Sequence, residues 1–274
     1  YPDPWQKAPH ETTEQFVNRM FEAFKLPFET YLPPDEVACI LIEPIQGDGG
    51  IIKAPTKYLQ KVYEFAHEHK ILFAVDEVNQ GMGRTGKWWS IQQFGLEPDL
   101  MSVGKSLASG LPLSAVIGRA EIMESLKAPA HVFTTAGNPL TAAAALATIE
   151  VIEKEDLLHR SRKLGRVAQT FFQQAQAKYD FIGDVRMYGL NGGIDIVDPK
   201  TKKPSTEIAT KIIHRAFELG VIMISLRGNI LRFQPPLVIT TAQLNRAFTI
   251  LDQVFSEEAA QKLRLPKNAS ELGW

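Results

Sequence analysis

The sequence has 274 residues, of which 45% are hydrophobic and 22% charged, an ordinary globular composition with room for one large domain or two modest ones. Its net charge of −1 gives no attraction for nucleic acid or an anionic membrane, and no apolar run reaches the roughly 18 residues of a membrane-spanning helix. The single cysteine, Cys39, excludes a disulfide framework and a cysteine-rich metal site, so we expect a reducing, cytoplasmic location.

The first half of the sequence alternates helical and apolar segments. A helix is predicted over residues 11–31, where Phe16, Met20 and Phe24 recur at near-helical spacing. The apolar runs VACILIEP, ILFAVDE and PDLMSVGK follow, with the amphipathic helix TKYLQKVYEFAHEH between the first two. Strands that alternate with helices predict a mostly parallel, helix-covered sheet of the α/β class.

The second half changes character after a long helical stretch over residues 139–177. The segments IGDVRMYGLNGGIDIV, VIMIS and ILRFQPP are predicted strands. They alternate with a helix that ends at Gly220 and a final helix with a threonine cap. We therefore predict a loop and helix over residues 1–34, a large domain over 35–160 and a small α+β domain over 161–274.

Polar and glycine-rich loops follow the three apolar runs of the first half. In open parallel sheets, ligands bind beyond the carboxyl ends of the strands, so these loops are expected to meet at one rim. Their polar residues are Glu43, Gln46 and Asp48 after the first run, Asp76, Glu77, Asn79 and Arg84 after the second, and Lys105 after the third.

Lys105 and Asp76 suggest a specific chemistry. A desolvated lysine with small neighbours loses its proton readily and can join to an aldehyde. A carboxylate on the adjoining strand can keep a pyridine nitrogen protonated, as a pyridoxal phosphate enzyme requires. A buried structural ion pair is the alternative for these residues. The glycines at 81, 83 and 86 also spell G-x-G-x-x-G, but the acid pair before them fits a dinucleotide site poorly.

Four motifs identify a family resemblance that covers nearly the whole chain. IEPIQGDGG, VDEVNQGMGRTG, SVGKSLASGLPLSAV and FTTAGNPLTAAAALATI resemble, in order and spacing, the class III aminotransferases. This resemblance implies the pyridoxal phosphate transferase architecture of fold type I, with pyridoxal 5'-phosphate as cofactor. It also implies a homodimer or a dimer of dimers, with the active site at the subunit interface.

The resemblance assigns roles to individual residues. Lys105 would bind the cofactor covalently, Asp76 would pair with the pyridine nitrogen, and Val78 would pack against the ring. Thr134 would reach the cofactor phosphate of the other subunit. Arg232 would bind the substrate carboxylate, for which the forked guanidinium is well suited.

Three departures from the family pattern accompany these roles. Asn79 stands where the family usually has a glutamine that bonds the cofactor's phenolic oxygen, and Asp48 stands where a glutamate is frequent. The family's N-terminal third has no counterpart in this sequence. We therefore expect either a longer parent protein or a remnant that binds cofactor poorly alone.

The resemblance leaves two reactions open. A transaminase returns the α-proton to the cofactor, whereas an epimerase returns it to the α-carbon from the opposite face, which a second acid/base assists. Asp48 is the candidate for that second group, and a plain ion pair with Arg232 is its alternative role. Phrases such as DEVNQG and GNILRFQPPLVI resemble the family's epimerases, so we expect racemisation of apolar amino acids such as isoleucine. The alternatives are a class III aminotransferase that uses 4-aminobutyrate or a related amine donor, and a non-catalytic remnant.

Overall fold

The computed structural model describes residues 1–130 and 132–265, and their helices and strands largely follow the predicted order. In chain order these elements are α1 (Thr13–Thr30), β1 (Cys39–Ile42), α2 (Thr56–Glu68), β2 (Leu72–Asp76), β3 (Leu100–Val103), β4 (Ala115–Gly118), α3 (Ala120–Met123), α4 (Pro139–Lys154), α5 (Leu157–Lys178), β5 (Ile182–Met187), β6 (Gly192–Ile196), α6 (Thr206–Glu218), β7 (Ser225–Leu226), β8 (Ile230–Phe233) and α7 (Thr241–Ala259). None of the helices in this part of the chain has the length and apolarity that a bilayer crossing requires.

The chain divides into two compact units. The first comprises Tyr1–Ile45, Lys53–Met82 and Lys87–Glu155. The second comprises Gln46–Ile52, Gly83–Gly86 and Asp156–Trp274, of which residues 266–274 lie outside the described part. Two short segments from the loops after β1 and β2 therefore belong to the second unit, which the sequence pattern did not predict.

The first unit contains a four-stranded sheet in the order β1-β2-β3-β4. The first three strands are parallel and β4 is antiparallel to β3. Helix α2 buries an apolar face that includes Leu59, Val62 and Phe65, and the centre of β2 is buried at Phe73 and Val75. The predicted helix-covered, mostly parallel sheet is thereby confirmed.

The second unit contains an antiparallel sheet in the order β5-β6-β8-β7, packed with α5, α6 and α7. Its core is apolar and continuous, and Phe172, Ile194, Ile212, Leu231 and Phe255 are buried in it. This is the predicted small α+β domain. Gly220 has φ of +92° just beyond α6, the left-handed conformation expected of a glycine that stops a helix.

Two predicted elements were wrong in detail. The long helical stretch over 139–177 is two helices, because Asp156 adopts a left-handed conformation with φ of +48° between α4 and α5. The units accordingly divide after Glu155, whereas the predicted border at 160/161 falls inside α5. The strand predicted from VIMIS is reduced to β7, because the N–H of Val221 bonds to Ala216 at the end of α6.

Candidate active site

Asp76 and Lys105 lie where two neighbouring parallel strands end, at the same end of the sheet. Asp76 is the last residue of β2 and pairs in register with Ser102 of β3, and Lys105 comes just after β3 ends. The Asp76 Oδ1 atom accepts a hydrogen bond from the N–H of Val78 at 2.8 Å. This short-range bond fixes the direction of the carboxylate at the strand end.

Lys105 has a left-handed backbone, with φ of +44°, and begins a short 3-10 turn. Such a conformation is unfavourable for a residue with a Cβ, and residues held in it cluster at functional sites. The side chain is exposed in this structure, so the predicted desolvation of Lys105 is wrong for the described residues.

Val78 lies beside the residue that precedes Lys105. A Cβ placed on Gly104 would be 3.6 Å from Val78 Cγ1 and 3.6 Å from the Cβ of Ser114, so these side chains contact the backbone at the end of β3. Val78 and Ser114 also line a cavity of about 960 Å³ within the first unit. This volume is within the usual range for a small-molecule site.

Thr134 and Asn79 lie in turns of the same unit. Thr134 is exposed, and its neighbours Phe133 and Thr135 line the cavity that Val78 also lines. Asn79 is half-buried in the turn after β2. Val78, the Thr134 loop and Lys105 thus all belong to the first unit, and Val78 and the Thr134 loop line one cavity. The individual roles of these residues remain predictions.

Glu77 has a different environment from its neighbour Asp76. It is buried, and its Oε1 accepts hydrogen bonds from Ser90 Oγ at 2.8 Å and from the N–H of Ile91 at 2.7 Å. Burial raises the pKa of the Glu77 carboxyl above its usual range, although these hydrogen bonds oppose the shift. Glu77 is therefore a packing residue beneath the loop and not one of the polar residues exposed at the rim.

Asp48 and Arg232 lie together in the second unit. Arg232 Nη1 is 4.0 Å from Asp48 Oδ1, and the Asp48 side chain is 63% exposed whereas that of Arg232 is 19% exposed. Arg232 Nε donates a hydrogen bond to Gln234 Oε1 at 2.6 Å. Burial lowers the pKa of Arg232, and the Asp48 carboxylate opposes that effect. The predicted ion pair is therefore present, with a fixed cation and an exposed anion.

Close backbone packing places the Asp48 loop next to Arg232. Gly193 of β6 pairs in register with Arg232 of β8, and a Cβ on Gly193 would lie 2.6 Å from the carbonyl oxygen of Gly50. Only glycine permits this approach. Gly50 itself has φ of +119°, so two glycines in the sequence are needed to seat the loop that carries Asp48.

Arg186 of β5 holds the loop that carries Asp48 through hydrogen bonds to Gly50. Its Nε and Nη2 atoms donate to the carbonyl oxygen of Gly50 at 3.2 and 2.8 Å, and it forms ion pairs with Asp184 and Asp195. Burial alone would lower the pKa of Arg186, but the two carboxylates leave it raised. Sequence reasoning missed this residue, for which the only signal was a charged residue at an inward position of a predicted strand.

A lysine and an aspartate at the ends of neighbouring parallel strands match the arrangement expected of a pyridoxal phosphate-type fold. The chain belongs to the class III aminotransferase family, whose model, described as "Aminotransferase class-III", matches residues 1–255. Membership implies pyridoxal phosphate as the cofactor. The residues present fit this group, because a reachable lysine, a strand-end carboxylate and a cavity occur in one unit.

The relatives of this chain include an epimerase, a racemase and a transaminase. The chain is 59% identical to an isoleucine 2-epimerase from Lentilactobacillus buchneri over 276 residues, covering 100% of this chain and 61% of that protein. It is 44% identical to a leucine/methionine racemase from Thermococcus litoralis, covering 94% and 58% of the two chains. An omega transaminase from Pseudomonas jessenii, solved in complex with PMP, superposes with a TM-score of 0.88 at 27% identity, covering 95% and 60%. The chain thus spans about three fifths of the length of the curated relatives it matches.

Proposed function

We propose that the protein is a pyridoxal phosphate-dependent amino-acid epimerase that interconverts isoleucine and D-allo-isoleucine and acts on similar apolar amino acids. The observation that carries this proposal is an exposed carboxylate, Asp48, beside the half-buried Arg232. A substrate carboxylate that binds Arg232 would take the place of Asp48 and release it for proton transfer. The similarity to an isoleucine epimerase and a leucine/methionine racemase supports the same reaction.

The proposed cofactor roles follow the geometry of the first unit. Lys105 would bind the cofactor covalently, and its exposed amine is accessible for that purpose. Asp76, held by the N–H of Val78, would pair with the pyridine nitrogen, and Val78 would contact the ring. Asn79 would bond the phenolic oxygen, and Thr134 would bind the cofactor phosphate of the other subunit. When bound, the cofactor withdraws electrons from the substrate α-carbon and so weakens its bond to the α-proton.

The proposed proton transfer needs two groups. Lys105 would remove the α-proton from one face of the substrate, and Asp48 would deliver a proton to the other face. No net proton is gained or lost, because one C–H bond breaks and another forms. Arg232 would hold the α-carboxylate in both directions. A positioned acid or base of this kind typically contributes about 10²–10⁴-fold in rate.

Transamination is the second candidate function. The superposition on an omega transaminase supports this candidate, and the same lysine chemistry would begin both reactions.

The proposal also includes a cytoplasmic location, a small-molecule amino acid as substrate, and a homodimer or dimer of dimers with the active site shared between subunits.

Isotope exchange separates the two functions. The full-length protein, loaded with pyridoxal phosphate, is incubated with L-isoleucine in deuterated water without any keto acid. We expect D-allo-isoleucine that carries deuterium at the α-carbon, and no product with Lys105→Ala. Turnover that requires a keto acid would instead establish a transaminase, and no exchange in either assay would leave a non-catalytic protein.

A further inference from the structure

Arg84 is a half-buried arginine in the unit that also contains Arg232. Its Nη1 atom donates hydrogen bonds to the backbone carbonyls of Leu190, at 3.4 Å, and Pro235. In the part of the chain that the structure describes, no carboxylate forms an ion pair with Arg84. A half-buried charge that is bonded to carbonyls alone is costly, and an anion at the site would offset this cost.

The backbone of Arg84 is held in one position. Its carbonyl oxygen accepts a hydrogen bond from Ser161 Oγ at 3.0 Å, and the same hydroxyl oxygen accepts the N–H of Leu190 at 3.1 Å. Gly189 packs closely here, because a Cβ on it would lie 2.6 Å from Ser161 Oγ. The Arg84 side chain therefore extends from a backbone that is held in one position.

Arg84 and Arg232 are linked through the same two chain segments. Arg232 Nε bonds to Gln234, and Gln234 Nε2 in turn donates to Asn191 Oδ1. Arg84 bonds to the residues next to each of these, Leu190 and Pro235. Arg84 thus links two segments: Gln234–Pro235, which orients Arg232, and Leu190–Asn191, which holds Gln234.

The positive charges of Arg84 and Arg232 repel each other. Burial and the positive charge of Arg232 lower the pKa of Arg84 to about 10, so Arg84 still carries its charge at neutral pH. Asp48 is the carboxylate that pairs with Arg232, and it is largely exposed. Two cations and one weakly held anion leave a net positive charge that favours a further carboxylate.

We propose that Arg84 is a positioning residue for the substrate α-carboxylate: it supplies a second positive charge and holds the Gln234–Pro235 segment that aims Arg232. This inference rests on the proposed function, in which Arg232 binds that carboxylate. Arg84 contacts backbone carbonyls rather than reacting atoms, so its effect is expected in substrate affinity rather than in proton transfer.

The test compares a carboxylate with its uncharged analogue. Binding of isovalerate and isovaleramide to the full-length holoenzyme is measured by calorimetry for wild type, Arg84→Met and Arg84→Lys. We expect Arg84→Met to weaken isovalerate binding roughly tenfold, because a positive charge near the carboxylate is lost and Arg232 is less well aimed, and to leave binding of the uncharged isovaleramide unchanged. Arg84→Lys should recover part of the loss because it restores the charge. The KM for L-isoleucine should rise with Arg84→Met while kcat stays within about threefold.

Arg162→Met is the matched control, because Arg162 also donates to a carbonyl of the Gly83–Gly86 segment, at Gly86. It should leave isovalerate binding unchanged. Equal weakening of both ligands by Arg84→Met would show a merely structural role and overturn the inference, as would unchanged isovalerate binding. Arg232→Met separates the two hypotheses: if it too leaves isovalerate binding intact, the proposed function fails, whereas a loss with Arg232→Met alone overturns only the role of Arg84.

Discussion

Asp48 and Arg232 form an asymmetric ion pair, in which Nη1 and Oδ1 are 4.0 Å apart and the carboxylate is far more exposed than the guanidinium. Gln234 fixes Arg232 through Nε, whereas Asp48 lies on a loop between Gly47 and Gly50. Exposed ion pairs of this length contribute little free energy, at most about 1 kcal/mol. A substrate carboxylate with bidentate geometry can therefore displace Asp48 at low cost.

Asp48→Asn should separate epimerisation from proton removal. The amide keeps the size of the side chain but cannot accept and return a proton, so formation of D-allo-isoleucine should fall about 100-fold or more. Deuterium exchange into L-isoleucine with retained configuration, which depends on Lys105, should change by only a few-fold. Mass spectrometry and chiral chromatography of the same reaction measure both quantities, and an equal loss of the two would argue against Asp48 as the second acid/base.

Lys105→Gly should abolish covalent cofactor binding and at the same time increase stability. Glycine adopts the φ of +44° without steric cost, so the free energy of unfolding should rise by about 1 kcal/mol. Borohydride reduction followed by peptide mass spectrometry should find the cofactor on Lys105 in wild type and nowhere in the variant. Lys87→Ala, which changes another exposed lysine of the same unit, should keep the label, and a label that persists in Lys105→Gly would exclude Lys105 as the attachment site.

Local sequence patterns were sufficient for the parts of the fold with strong periodicity. The strands that end near Ile42, Asp76 and Val103 were predictable because apolar runs stop at polar, glycine-rich loops. The assignment of Asp48 and Arg84 to the second unit was not predictable, since it depends on packing against β6 and α5 that is distant in sequence. For the same reason the Arg186 anchor and the Gln234 contact to Arg232 could not be read from spacing.

Arg186→Met should destabilise the second unit strongly. The variant removes the ion pairs of Arg186 with Asp184 and Asp195 and both hydrogen bonds to Gly50, which should cost about 3–5 kcal/mol in urea unfolding. Glu150→Gln, which breaks the exposed pair with Lys154, is the control and should cost less than about 1 kcal/mol. Because Gly50 holds the Asp48 loop, the milder variant Arg186→Lys should fold but show slower epimerisation. Normal epimerisation in that variant would mean that the loop does not depend on the guanidinium.

The stability of Glu77→Gln relative to wild type should increase as the pH rises. Because burial raises the pKa of Glu77 in the folded state, the stabilisation that its protonated form provides is complete below the unfolded pKa and is lost as pH rises through the folded pKa. Glutamine keeps an oxygen that can accept from Ser90 and Ile91, carries no charge, and does not titrate. The Tm of Glu77→Gln relative to wild type should therefore be higher at about pH 8 than at about pH 5. Glu97→Gln, at an exposed carboxylate of the same unit, should show no such difference between the two pH values, and an identical relative Tm for Glu77→Gln at both would contradict a raised pKa at this site.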